Sequence, residues 1–176
     1  MKITVKDIAT TAMVAAMYFI VTYLTQSFAY MDIQFRIAEI FLLLVFYNRK
    51  YIGGVTLGCF LANLMSPLGL PDVVFGTLAT LLSAILIGYS KNILVAIIWP
   101  VLINSIVVGL ELYFIEGLPF WITALQVGLG EAAVMIVGVI LFMMLRNNAG
   151  FMRAIDANQN IAIPIEVKEE EDEETD

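Results

Sequence analysis

Two carboxylates stand where charge is costly. Glu111 lies in "NSIVVGLELYFIEGLPFW" (Asn104–Trp121), and Glu131 lies in "LQVGLGEAAVMIV". An ionisable side chain inside a membrane costs ~2.5–3.5 kcal/mol on insertion scales and usually lines a water-filled cavity or a ligand path. Asn104 precedes Glu111 by seven residues, which puts both on one helix face. Ala124, Gly128 and Glu131 share a face on the following helix, and Gly128 and Gly130 leave room beside the acid. No basic residue falls in the middle of an apolar run. The spacing therefore predicts no intramembrane cation for Glu111 or Glu131. Each carboxyl is either protonated or held for a ligand that donates hydrogen bonds or carries positive charge.

Other polar residues recur at similar depth. Gln34 and Arg36 come at the mouth of a second apolar run, with Glu39 about one turn in. Asn63 and Ser66 end a third run, and Asp72, Thr77 and Thr80 open a fourth. Several of these have two readings. Glu39 either lines a ligand site or pairs with Arg36 three residues earlier. Asp72 is either a ligand contact or the N-cap of its helix. Asn104 either faces the ligand or bonds a neighbouring helix. Trp121 either stacks on a flat ligand or anchors its helix at the interface. Glu116, in the turn "IEGLP", reads as solvated.

The elements that carry these residues follow from composition. The chain has 176 residues, is 61% hydrophobic and has a mean hydropathy of +0.91, beyond a soluble domain. Six apolar segments are expected, approximately Asp7–Ala29, Phe35–Tyr47, Tyr51–Met65, Asp72–Ser90, Ile93–Ile115 and Phe120–Leu145. A crossing helix needs about 20 residues, so the second and third are short. They are expected as partly embedded helices inside the bundle, the alternative being one hairpin or one broken helix. Lys2, Lys6, Arg49, Lys50, Lys91, Arg146, Arg153 and Lys168 all fall on one side of a six-span chain, leaving only Arg36 for the other. The positive-inside rule then puts both termini in the cytoplasm. The expected fold is an all-α membrane protein with six transmembrane helices in a single bundle, spanning residues 1–146. Residues 147–176 are expected as a cytoplasmic tail: "NNAGFMRAIDANQN" reads as helix end and linker, and "EVKEEEDEETD" as a self-repelling, disordered run.

Several classes are excluded. The net charge of −7 belongs to the tail, which holds eight acids and one lysine; removing them from 16 acids and nine bases leaves eight of each. No nucleic-acid partner is implied. The chain has no histidine, and its one cysteine, Cys59, reads as a small buried apolar residue. No phosphate-binding loop, zinc-ligand spacing or activated serine is present, so neither an enzyme nor a cofactor or metal is expected. The diluted amino-terminal run is not a cleavable signal peptide. Ala12 and Ala16, four apart in "IATTAMVAAMY", would let another helix approach closely, whether within this chain or from a partner.

The strings "QFRIAE" (Gln34–Glu39), "LANLMSPLGLPDVVFGTLATLL" (Leu61–Leu82), "NSIVVGLELYFIEGLPFW" and "GLGEA" (Gly128–Ala132) together resemble the QueT family. The resemblance runs from about Ile3 to Arg146. It implies a substrate-binding S component of an energy-coupling factor transporter for queuosine precursors. The expected fold is six helices with a cup near the outer face. Ala12 and Ala16 match the motif that packs on a transmembrane coupling subunit, itself joined to two cytoplasmic ATPases. The implied ligand is a 7-deazaguanine or queuine. Gln34, Glu39, Asn63, Asp72, Asn104, Glu111, Trp121 and Glu131 are the expected lining. Two other readings stay open: an S component for another small vitamin or nucleobase, and a structural membrane subunit that binds no small molecule.

Overall fold

The computed structural model describes residues 4–29 and 34–160, and every element in them is helical. Helix α1 (Val5–Leu24) opens on a capping box. The Thr4 hydroxyl accepts from Asp7 N (3.2 Å), and Asp7 Oδ2 accepts from Thr4 N (3.0 Å), which satisfies two end groups of the helix. One turn, α2 (Gln26–Ala29), follows. A 3₁₀ helix, Ile37–Leu42, runs straight into α3 (Leu43–Tyr47). A 3₁₀ turn, Arg49–Tyr51, leads to α4 (Ile52–Asn63). Then come α5 (Leu70–Tyr89), α6 (Ile93–Ala96), α7 (Ile98–Glu116), α8 (Phe120–Leu145) and α9 (Ala149–Ala154).

Local chemistry explains the breaks. Gly69 caps α5 with φ +68°, a conformation glycine adopts without a Cβ penalty, and Pro71 sits in the first turn where no donor is needed. Gly117 ends α7 in the left-handed conformation. Pro100 cannot bond back to the Ala96 carbonyl and crowds it, and the chain is jointed at Ile97 between α6 and α7.

Among the described residues, four helical stretches are long and apolar enough to cross a membrane: Val5–Leu24, Leu70–Tyr89, Ile93–Glu116 and Phe120–Leu145. Only 22–44% of their residues are buried in the protein, so their outward faces are apolar and need lipid. The first short segment has the opposite character: residues 42–47 are all buried, and the 3₁₀/α3 segment forms the centre of the packed core, so its continuous hydrophobicity reflects burial on all sides. The second, α4, buries Val55, Cys59 and Ala62 on one face and leaves Leu57 and Phe60 exposed on the other. Glycines let α1 approach α4: a Cβ at Gly54 would meet Thr11 O at 2.7 Å, and one at Gly58 would meet Tyr18 Cβ at 2.6 Å.

One end of the bundle is tied together by charge. Lys50 Nζ pairs with Asp7 Oδ1 (3.2 Å) and Asp156 Oδ2 (2.8 Å), and Arg49 Nε donates to Gly88 O (2.6 Å). The start of α1, the α3–α4 turn, the end of α5 and the chain after α8 therefore meet at that end. The stretch expected as a linker after Arg146 is instead folded through Asn160. Met152 and Ile155 are buried, Gln159 Nε2 donates to Val45 O (3.0 Å), and Asn160 Nδ2 donates to Phe46 O (2.7 Å). These amides satisfy carbonyls that α3 leaves free where it stops. The acidic run of residues 166–176 lies outside the described residues.

Candidate functional site

Buried polar side chains from five segments converge in the half of the bundle away from Lys50. Glu39 comes from the 3₁₀ helix, Asn63 from the end of α4, Asp72 from the first turn of α5, Asn104 and Glu111 from α7, and Glu131 from the middle of α8. All six are at most 5% exposed. The seven-residue spacing puts Asn104 and Glu111 on the same inward face.

Part of the cluster is a closed hydrogen-bond network. The Tyr18 hydroxyl of α1 donates to Glu39 Oε1, and Thr80 Oγ1 lies 3.3 Å from the same oxygen. Cys59 is more than a small apolar residue: Asn63 Nδ2 approaches its sulfur at 3.4 Å, Thr80 Oγ1 at 3.1 Å and an Arg36 nitrogen at 3.9 Å. Asn63 Nδ2 also donates to Asp72 O (2.9 Å), and the Ser66 hydroxyl donates to the Asp72 carboxylate. Asp72 is not the N-cap of α5; Gly69 is, and Asp72 sits one turn in, where a carboxylate suits the helix dipole. Gly76 makes this packing possible, because a Cβ there would meet Asn63 Nδ2 at 2.7 Å.

The rest of the cluster is poorly satisfied. Neither Glu111 oxygen has a hydrogen-bond partner, nor does Glu131 Oε1, Glu39 Oε2 or Asn63 Oδ1. Asp72 faces Glu111, and Asn104 and Glu39 face Glu131.

Arg36 corrects the reading from spacing. Spacing puts it at the outer mouth of its run, with Glu39 three residues on as the one carboxylate it would pair with. It is instead 7% exposed, and its charge reaches Glu39, Asp72, Glu111 and Glu131. The reason is the backbone around Gln34, which presses against α8 at Gly130. A Cβ on Gly130 would collide with the Gln34 carbonyl oxygen and come within 2.9 Å of its carbon. The chain thus enters the bundle before the helix begins. Gln34 itself is half-buried at that crossing.

Trp121 does not join the cluster. It is 81% exposed on the flank of α8, edge-on to Phe120 with ring centroids 5.0 Å apart. Ten residues separate it from Glu131, about 280° around the helix, so the two face different ways. Of its two readings, the interfacial anchor fits this position. Spacing alone also missed Tyr18, which follows Val14 and Ala15 and precedes Thr22 on the buried stripe of α1. That stripe was the available signal.

Among the described residues, no three His, Cys, Asp or Glu side chains group closely enough to hold a metal ion. What the arrangement offers is a set of acceptor oxygens around a guanidinium, inside a bundle with apolar outer faces.

Long apolar helices with lipid-facing outer sides around a buried polar cluster define a multi-pass membrane protein. Comparison with known proteins gives the family. The profile of the QueT transporter family matches residues 8–147. The queuosine precursor transporter QueT of Lactococcus lactis subsp. cremoris (strain MG1363) is 34% identical over 150 residues, covering 75% of this chain and 87% of that protein. The chain belongs to the QueT transporter family, as its motifs led us to expect. No solved structure is significantly similar.

Proposed function

We propose that this chain is the substrate-binding S component of an energy-coupling factor importer, and that it captures a queuosine precursor in the polar cluster. The observation that carries the reading is the set of five buried acceptor oxygens without partners, on Glu39, Asn63, Glu111 and Glu131. A buried acceptor left unsatisfied costs about 1–3 kcal/mol. A ligand that brings donors recovers that cost. A guanine-like edge offers an N1–H and an exocyclic amine side by side, and one carboxylate accepts both. The matched relative is named a queuosine precursor transporter, and the 7-deazaguanine that the family resemblance implies would carry such an edge.

The rest of the proposal concerns topology and partners. Six crossings with both termini in the cytoplasm would put the Lys50 end inside, by the positive-inside rule, and the polar cluster toward the outside. Ala12 and Ala16 are exposed on α1, while Ala15 is buried toward α4. The exposed pair would offer a close approach to a transmembrane coupling subunit carrying two ATPases. Energy for uptake would come from that module.

The test is thermal unfolding of the purified protein in detergent with 7-deazaguanines, queuine, guanine and a panel of vitamins. A 7-deazaguanine is expected to raise the melting temperature, and Glu131→Gln to abolish the rise. Stabilisation by an unrelated vitamin alone would replace the substrate assignment. Stabilisation by nothing in the panel would favour a structural subunit.

A further inference from the structure

Residues 148–160 lie beyond the stretch that matches the family, which ends at 147. Their bonds nevertheless converge on one target, the end of α3 and the turn after it. Asn158 N and Gln159 N both donate to Tyr47 O (3.1 Å each). Gln159 Nε2 donates to Val45 O (3.0 Å), and Asn160 Nδ2 to Phe46 O (2.7 Å) and Ser90 O (3.2 Å). In return, Asn48 Nδ2 donates to Asp156 O (2.6 Å) and the Tyr51 hydroxyl to Ile155 O (2.9 Å). The carbonyls so held are the last of α3. The run Ile37–Tyr47 has six 3₁₀ and five α residues. It rises about 20 Å, too little to cross a core of ~30 Å. Its final turn therefore stops inside the protein, with Val45, Phe46 and Tyr47 at most 5% exposed, and its carbonyls need donors from elsewhere in the chain. The opposite end of the same run follows Arg36 and carries Glu39. Residues 42–47 are buried throughout, so the run moves as one piece. Within the strap, Asp156 (φ +49°) and Asn160 (φ +56°) are left-handed, a conformation that costs any residue with a Cβ and that Asp and Asn tolerate best. The strap is thus held by polar bonds against some backbone strain, which suits a contact that detaches.

We propose that the strap of residues 148–160 is a latch on the short helix. Bound, it holds the run at the depth where Arg36 and Glu39 complete the polar cluster. Released, it frees the run to shift along its axis and opens the cluster from the far end of the bundle. Lys50 joins Asp156 of the strap to Asp7 of α1, so the start of α1 is held by the same closure. The latch goes beyond the proposed function and stands without it, because it concerns how the cluster is kept closed, whatever enters it.

The chain carries its own reporter. Cys59 is its one cysteine, is completely buried, and has its sulfur 3.1 Å from Thr80 Oγ1 and 3.9 Å from an Arg36 nitrogen. A thiol so placed reacts only from an opened state, so its labelling rate reads how often the cluster opens. The experiment measures labelling of the full chain in detergent by N-ethylmaleimide, with melting temperatures taken alongside. Gln159→Ala combined with Asn160→Ala removes the side-chain donors of the strap. Tyr51→Phe removes a single oxygen from the opposite side of the contact and carries the test alone if the double variant does not fold. Val127→Ala is the control; it loosens the packing of Val108, Leu112 and Val127, which is separate from that of Cys59. The double variant is expected to label at least tenfold faster than the wild type, Tyr51→Phe about threefold faster, and Val127→Ala at the wild-type rate. Wild-type rates in the folded strap variants overturn the latch. An equal acceleration in Val127→Ala also overturns it, and leaves a strap that only adds stability. No ligand enters the measurement, so its failure leaves the proposed function standing, and the failure of every compound in the thermal panel leaves the latch standing.

Discussion

Replacing Tyr18 by Phe isolates one bond of the buried network. Tyr18 and Glu39 are both completely buried, and the Tyr18 hydroxyl donates to Glu39 Oε1. The substitution removes one oxygen and leaves the ring packed, so the apolar contribution is unchanged. What is lost is a hydrogen bond to a carboxyl, worth about 1.5–3 kcal/mol when the acceptor is charged. Two facts pull that figure down. Interhelical bonds in membrane proteins average only about 0.6 kcal/mol, with a maximum near 1.7, because the unfolded chain in a membrane also finds partners. Thr80 also remains 3.3 Å from the same oxygen, though that is a long contact. Against this, Glu39 Oε2 already lacks a partner, so the carboxyl has little to fall back on. The expected loss is ~1.5 kcal/mol, about a tenfold shift in the folded-to-unfolded ratio. Equilibrium unfolding in mixed micelles measures it, with Tyr113→Phe, 47% exposed, as the control. Glu39→Met removes the acceptor, so the double variant with Tyr18→Phe should lose less than the sum of the single losses, since the two residues share one bond. A loss no larger than that of the Tyr113 control, or full additivity with Glu39→Met, would refute the claim that this bond anchors α1 to the cluster.

Four further outcomes are expected. Gly130→Ala drives a Cβ into the Gln34 backbone, which lies 2.9 Å away at its carbonyl carbon; it should cost about 1–3 kcal/mol and reduce ligand-induced stabilisation. Gly53→Ala, whose nearest neighbour is Thr11 Cγ2 at 4.0 Å, should unfold like the wild type in the same assay. Burial pulls the Lys50 pKa down, but its bonds to Asp156 and Asp7 outweigh that and leave it above the ordinary 10.5. A cation whose folded pKa is raised contributes stability below its unfolded value and loses it as pH climbs through the folded one. The stability gap between wild type and Lys50→Met should therefore be constant at neutral pH and close above 10.5; a gap that widens there would contradict the assignment. Ala12→Trp, on the exposed side of α1, should leave the melting temperature of the isolated protein unchanged and abolish co-purification with a coupling subunit; undiminished co-purification would remove that face from the docking surface.

Sequence alone determined the class of fold and picked out most members of the buried polar cluster. Long apolar runs have one stable solution in a bilayer, a helix that bonds its own backbone, and α1, α5, α6–α7 and α8 lie where those runs predicted. Buried acids in such runs demand an enclosed setting, which is why Glu39, Asp72, Glu111 and Glu131 could be singled out by type and position. Helix periodicity correctly paired Asn104 with Glu111. What tertiary structure decided was everything carried by irregular backbone. Arg36 precedes a helix, so no periodicity told which way it points; the gap at Gly130 admits the Gln34 backbone and delivers the guanidinium among four carboxyls. Gln159 and Asn160 read as linker because their acceptors, the free carbonyls at the end of α3, are more than 100 residues away in the chain. Cys59 reads as apolar until Asn63, Thr80 and Arg36 are folded against its sulfur. Local pattern sets which segments are helical and what must be hidden from lipid. Which polar group meets which depends on contacts between segments far apart in sequence, and these form only when the helices pack.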